Sequence, residues 1–272
     1  LSVNWNALAS VKTVQVNPQV RQNKQLLARK IYQRELRARP QLPAQTELGH
    51  TLVRVLKASP NRVAVVRYKD QELVLKRFRR SWVDRFRASR ARRAWAAART
   101  LTELGLPSLE PVGFGEDDSF SYFVYRFDAR AITVRDWIKP RMHRQPDAFR
   151  HQVADEIFGC LLDLYEHGLY HRDAKAGNLL VEPSHDPDIP NRFAWIDLED
   201  LVPAKLNEKR LFKNLIQLNG SICRRIPRAD RMRFLDALAE RFPEARVSGL
   251  AAAVEQETHR RLMREVRRTE SH

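Results

Sequence analysis

The feature that most constrains this chain is Tyr170–Val181, YHRDAKAGNLLV, with Asp197 of FAWIDLED sixteen residues beyond its end. Asp173 is followed two residues on by Lys175 and five on by Asn178; the apolar run Leu179–Val181 then leads away as a strand. A second apolar strand, Phe193–Ile196, delivers Asp197 at its end. Phosphoryl transfer uses this set: a carboxylate to orient the acceptor, a cation for the moving phosphate, and oxygen ligands for Mg²⁺.

Chemistry of this kind needs a folded cleft, and the chain can build one. Its 272 residues, 43% hydrophobic and 30% charged, suit a globular protein of one large domain or two lobes rather than a disordered chain. No apolar run reaches the ~18 residues of a membrane span. The N-terminal LSVNWNALASVK lacks the basic-then-apolar order of a secretion signal. The sequence opens on Leu1, so its first residue is not taken as the native start. Cys160 and Cys223 form no CxxC or Cys/His zinc pattern, and a reducing cytoplasm is the expected setting.

The formal charge is +16, and much of it is local: Lys76–Arg99 carries ten Lys/Arg against the single acid Asp84. That density exceeds what solubility needs and predicts a phosphate-rich partner, whether nucleic acid, anionic headgroups or a phosphorylated glycolipid.

The pattern predicts a basic amphipathic helix over Gln22–Arg39, with Leu27, Ile31 and Tyr32 on one face and Pro40 and Pro43 ending it. It either lies on an anionic membrane surface or packs on the next lobe. Three strands are expected between Thr51 and Phe78, with turns at Lys57–Asn61 and Lys69–Gln71. In the third, alternation turns Lys76 away from the Leu73/Leu75 face, toward a nucleotide's phosphates. A helix is expected over Ser89–Glu103, ended by Gly105 and Pro107, then an aromatic strand over Phe120–Phe127. Gly113-Phe114-Gly115 is too short for a dinucleotide fingerprint, and no GxxxxGK[ST] loop occurs. Beyond Arg130 the chain turns helical: Phe149–His167 closed by Gly168, then Glu208–Leu218, Asp230–Phe242 and Leu250–Arg268, the last with Leu250, Val254, Leu262 and Val266 on one face. Trp82, Phe86 and Trp95 are expected to pack the basic helix on its lobe.

A β-rich N-terminal lobe with a strand lysine, then a helical lobe with HRDxKxxN and a strand-delivered Asp, resembles the protein-kinase-like fold. Within it the chain is most similar to the lipopolysaccharide kinases of the Kdo/heptose kinase (WaaP, InaA-like) family. The motifs are LVLKRF, RARRAW leading to LTELGLPSLEPVGFG, YHRDAKAGNLLV, FAWIDLEDL and NLIQLN…DRMRFLDAL, from about Thr51 to Leu238. The resemblance implies a bilobal α+β fold: a basic N-terminal extension (1–45), an N-lobe roofing the nucleotide (46–130) and a C-lobe (131–272). It implies Asp173 and Lys175 as catalytic residues, Lys76 on the α/β-phosphates of ATP, and Asn178 and Asp197 as Mg²⁺ ligands. His171 and Arg172 brace the loop.

Three positions depart from the pattern. No GxGxxG occurs between Leu52 and Val66. The helix glutamate that usually pairs with the strand lysine is absent: Ala94 stands where some relatives carry an acid, and Asp84 and Glu103 are the nearest alternatives. The third departure is Asp197-Leu198-Glu199, where Glu199 replaces a glycine and is read either as a group supporting the site behind Asp197 or, by slight preference, as an ordinary surface acid. Only about fifteen residues separate Asp197 from the next helix, too few for a peptide platform. The expected function is ATP-dependent phosphorylation of a core sugar (Kdo or heptose) of lipopolysaccharide, at the inner face of the inner membrane, with the Arg-rich helix on the anionic core. A kinase for a protein or another small-molecule hydroxyl is the alternative. A pseudokinase or a basic nucleic-acid- or membrane-binding protein is the non-enzymatic one, and nucleic acid is the less favoured partner. The sugar, the hydroxyl and the oligomeric state are left open.

Overall fold

The structure, a computed structural model, describes residues 18–42, 51–58, 62–68, 70–80, 82, 87–139, 145–184, 191–222, 226–243 and 250–270. The Lys57–Asn61 turn lies partly outside these residues, Phe86 and Cys223 lie wholly outside them, and the side chain of Val266 is not described.

Helix α1 (Pro18–Leu36) precedes a five-stranded antiparallel sheet of order β1-β2-β3-β5-β4, built from Thr51–Lys57, Val63–Tyr68, Gln71–Arg79, Pro111–Glu116 (β4) and Phe120–Arg126 (β5). Edge strand β1 is exposed throughout, and two register shifts against β2 break its ladder, a common protection of free edges. The expected alternation in β3 is present. Leu73 and Leu75 join Ala64, Val66, Tyr122 and Val124 in a small cluster on one face, while Val74 and Lys76 line a cleft on the other.

Helix α2 (Arg90–Glu103) packs behind the sheet, its start capped by the Ser89 hydroxyl accepting from the Arg92 N–H at 3.1 Å. Its buried face is built from Ala91, Ala94, Ala97, Ala98 and Leu101, and short side chains let the helix approach its neighbours closely. The arginines expected to face an anionic partner are largely engaged inside the fold. Arg92 grips both Glu116 oxygens and the carbonyls of Leu36 and Ala38. Arg93 donates to the carbonyls of Ala88 and Glu199, and Arg99 lies over the Trp95 ring. Trp95 is buried as expected, whereas Trp82 is 74% exposed.

The β-rich part leads into β6 (Ile132–Thr133), α3 (Val134–Ile138) and the long helix α4 (Asp147–Glu166). Next come β7 (Leu169–His171), a 3-10 turn (Ala176–Asn178), β8 (Leu179–Glu182), β9 (Arg192–Trp195), a second 3-10 turn (Leu198–Asp200) and β10 (Leu201–Pro203). Helices α5 (Glu208–Ile222), α6 (Arg228–Arg241) and α7 (Leu250–Glu270) complete the chain. One core runs from the sheet through α2 into α4–α6, with Phe158 and Phe234 stacked at 4.2 Å.

Helix α1 packs on the fold through one face: Ala28, Ile31 and Tyr32 are buried, and the helix lies on α2, α4 and β10. Leu27, expected on that face, is 51% exposed because Ala28 takes the inward position. The Gln25 side chain closes over Gly168, whose φ of +63° ends α4 in the left-handed region. Gly115 serves packing: an added Cβ would sit 2.3 Å from the buried Tyr122 ring. Gly115→Ala is therefore expected to cost about 1–3 kcal/mol. A lowered thermal-unfolding midpoint is the check, and an unchanged midpoint would mean the ring yields freely.

Candidate active site

The loop from His171 to Asn178 is held by groups that do not face the cleft. His171 is fully buried; burial pushes its pKa below the ordinary histidine value, against the pull of the Ile196 carbonyl and nearby carboxylates. The neutral ring suits its two contacts: Nε2 lies 2.9 Å from the Ile196 carbonyl, and Nδ1 accepts the Asp173 N–H at 3.2 Å. The expectation of a bracing role for His171 matches this geometry. A buried histidine held neutral binds fewer protons than it does in the unfolded chain. Stability is thus expected to fall as pH drops below the ordinary histidine range. Unfolding midpoints across that range test this, and a flat profile would contradict it.

Helix α5 supplies the rest of the bracing, which sequence reasoning did not single out. Asn214 donates to the His171 carbonyl at 2.8 Å and accepts from the Tyr165 hydroxyl; the Ser221 hydroxyl accepts the Ala176 N–H. Between them, Gln217 Nε2 donates to the Arg172 carbonyl and to Asp173 Oδ1, both at 3.1 Å. The available signal was Asn214, Gln217 and Ser221 at i, i+3, i+7, a polar stripe on an otherwise apolar face.

Asp173 thus has its carboxylate fixed on both sides. Oδ1 takes Gln217, while Oδ2 accepts from Lys175 Nζ at 2.6 Å and from Asn178 Nδ2 at 3.0 Å. Asn178 Nδ2 also donates to the Asp173 carbonyl, which leaves its Oδ1 for the cleft. Beyond β9 the chain turns sharply at Asp197, where φ +56° and ψ +40° place a non-glycine residue in the left-handed region. Aspartate tolerates this better than most residues, and such outliers concentrate at functional sites. The turn brings the Asp197 carboxylate and the Glu199 side chain to one ammonium.

That ammonium is Lys76, itself 7% exposed. Its Nζ lies 2.6 Å from Asp197 Oδ1, and 2.8 and 2.9 Å from the two Glu199 oxygens. Glu199 is therefore no surface acid: it is 8% exposed and supplies a second carboxylate to Lys76. The physical reason lies in α2, which packs against the Leu198–Asp200 turn through small residues such as Ala94, with Arg93 Nε donating to the Glu199 carbonyl. Burial alone would depress the Lys76 pKa, but the two carboxylates outweigh it and raise it. Burial likewise pushes Asp197 up, yet Lys76 holds it below the usual range. Glu199 stays above its usual range, because burial and the Asp197 charge together exceed the pull of Lys76.

Lys76, Lys175, Asn178, Asp197 and Glu199 all line a cleft of about 680 Å³ between sheet and helical part, and Asp173 stands beside it on Lys175 and Asn178. All five expected site residues are thus brought together. Val63, Val74, Leu180 and Ile196 give the cleft apolar walls suited to a purine. Among the described residues no group of three or more His, Cys, Asp or Glu could hold a metal ion alone. Mg²⁺ needs only one or two protein oxygens beside nucleotide phosphates, and Asn178 Oδ1 with Asp197 fits that requirement.

No curated protein sequence matches this chain. Among solved structures, one described as WaaP in complex with acyl carrier protein superposes with a TM-score of 0.61 at 21% identity, covering 77% of this chain and 89% of that one. The overlap gives the fold: an antiparallel sheet-rich N-terminal part and a helical C-terminal part of WaaP kinase-like type. The lipopolysaccharide kinase (Kdo/WaaP) family model matches residues 54–238, a span that starts in β1, ends in α6 and takes in every residue lining the cleft. With that span shared, the chain belongs to the lipopolysaccharide kinase (Kdo/WaaP) family.

Proposed function

We propose that this protein is an ATP-dependent kinase that phosphorylates a hydroxyl of Kdo or heptose in the lipopolysaccharide core. The observation that carries the reading is the pairing of Asp173, fixed by Lys175, Asn178 and Gln217, with Asp197 and Lys76 across one cleft. Asp173 orients the sugar hydroxyl and takes its proton as the new P–O bond forms and the bond from the γ-phosphorus to the β,γ-bridging oxygen breaks, releasing ADP. Lys175 neutralises charge on the transferring group, and Lys76 holds the α/β-phosphates. Asn178 and Asp197 would hold Mg²⁺, which would supply positive charge to offset that of the phosphates. Positioning and charge stabilisation supply the catalysis, with no covalent intermediate on the protein.

The short path from Asp197 to the next helix favours a sugar acceptor. The chain makes one turn, the short strand β10 against β7, and enters α5 at Glu208, with no long segment on which a peptide could lie. No described helix is long and apolar enough to cross a membrane. We place the protein peripherally on the cytoplasmic face of the inner membrane, a reading supported by Val20, Leu26 and Leu27, which α1 exposes beside Arg29 and Lys30. The related WaaP structure contains an acyl carrier protein, which makes such a protein a candidate partner for this chain. The test supplies labelled ATP, Mg²⁺ and lipid A–core acceptors differing in Kdo and heptose, with and without acyl carrier protein. Label is expected on one glycolipid acceptor; label on protein alone would move the assignment to a protein kinase.

A further inference from the structure

We propose that the acceptor's anionic groups dock on a cationic strip made by Arg172 and the N-terminal half of α5. This rests on the reading of the protein as a glycolipid kinase and assigns a place to the substrate's charge. The Arg-rich helix α2 is a poor candidate, since Arg92, Arg93 and Arg99 are engaged with Glu116, backbone carbonyls and Trp95. The cations near Asp173 that face solvent lie elsewhere.

Helix α5 meets the catalytic loop through Gln217, whose amide touches Asp173. Lys213 and Lys209 precede Gln217 by four and eight residues, so the three share one stripe of the helix. At 1.5 Å per residue the two lysines stand about 6 and 12 Å along the axis from Gln217. Both are exposed, as are Lys205 before the helix and Arg172 beside Asp173. None of these four side chains has a hydrogen bond or ion pair among the described residues. Arg210 flanks them, its guanidinium 5.7 Å over the ring of Tyr170. Four exposed cations, with Arg210 beside them donating to the Lys205 carbonyl, thus stand against Asp173, Asp200 and Glu208. Lys209 and Arg210 occupy the first turn of α5, where the macrodipole already places partial positive charge. Basic residues there do not favour the helix; they add to the field an incoming anion feels. An acceptor bearing phosphates or carboxylates on successive sugars would be drawn along this stripe, with its terminal hydroxyl at Asp173.

The test compares wild type with the Lys209→Glu/Lys213→Glu double variant, with a thermal shift on adding Mg²⁺-ATP as the check of folding. The probe is the phosphorylated core oligosaccharide released from lipopolysaccharide, before and after phosphatase treatment, measured by titration and as acceptor in steady-state kinetics. The expected result is at least a tenfold higher acceptor Kd and KM in the variant, no change in the KM for ATP, and a weaker salt dependence than wild type. If phosphatase treatment weakens wild-type binding, phosphate is the recognised anion; if only the variant is weakened, the sugar carboxylates are. Equal acceptor KM in variant and wild type would overturn the strip and leave the kinase reading standing. Wild type that binds Mg²⁺-ATP but neither binds nor phosphorylates the oligosaccharide would overturn both.

Discussion

Asp173→Ala is expected to lower kcat by about 10²–10⁴-fold, the usual worth of a positioned general base, with the KM for ATP little changed. The fold should survive, because the loop does not hang on this carboxylate. Its backbone is tied by His171 to the Ile196 carbonyl, by Asn214 to the His171 carbonyl and by the Ser221 hydroxyl to the Ala176 N–H. Asn178 keeps the residue-173 carbonyl as acceptor, and Gln217 keeps that of Arg172. Lys175 loses its partner but is partly exposed, so its charge stays solvated. Rapid-quench measurement of phosphoryl transfer beside a thermal melt separates the two effects. Full activity with an unchanged melt would remove Asp173 from the mechanism.

The chemistry in this chain was more legible than its supports, for a physical reason. Asp173, Lys175 and Asn178 lie within six residues, and β3 places Lys76 by simple alternation, so local spacing was enough. Longer elements were legible for the same reason: α4 shows its helical period, and Gly168 closes it. Strands β6, β7 and β10 have two or three residues each, too few for any period to register. Glu199 was misjudged because its burial depends on how closely α2 approaches from a hundred residues earlier in the chain. The arginines of α2 were misjudged likewise: Arg92 finds Glu116 and the carbonyls of Leu36 and Ala38 only after the sheet and α1 have closed around it. A run of charges predicts an external partner only where the fold leaves those charges unmatched, as on α5.

Glu199→Gln should raise the KM for Mg²⁺-ATP by about tenfold or more, equivalent to about 1.4 kcal/mol of binding. Two carboxylates share Lys76, and under the proposed reading the pair with Asp197 would have to loosen before Asp197 took a metal and Lys76 took phosphates. Glu199 keeps the ammonium in place while this happens. With glutamine there, Lys76 and Asp197 form a self-contained pair that the nucleotide must break. Stability should change little, since neutralising Glu199 removes the excess negative charge and leaves Lys76 matched by Asp197. Acidification should act in the same way. Glu199 titrates above the usual carboxylate range and Asp197 below it, so a falling pH protonates Glu199 first and leaves Asp197 charged. Protonating Glu199 also relieves the cost of burying its charge, whereas the stability contributed by ionised Asp197 is lost only at lower pH. Weakened nucleotide binding should therefore precede any acid loss of stability from this trio. His171 contributes its own acid destabilisation, so variant and wild type are compared at each pH. The KM for ATP should rise on acidification in wild type and stay nearly flat in Glu199→Gln. An acid limb retained by the variant would assign it to another group and leave Lys76 oriented by Asp197 alone.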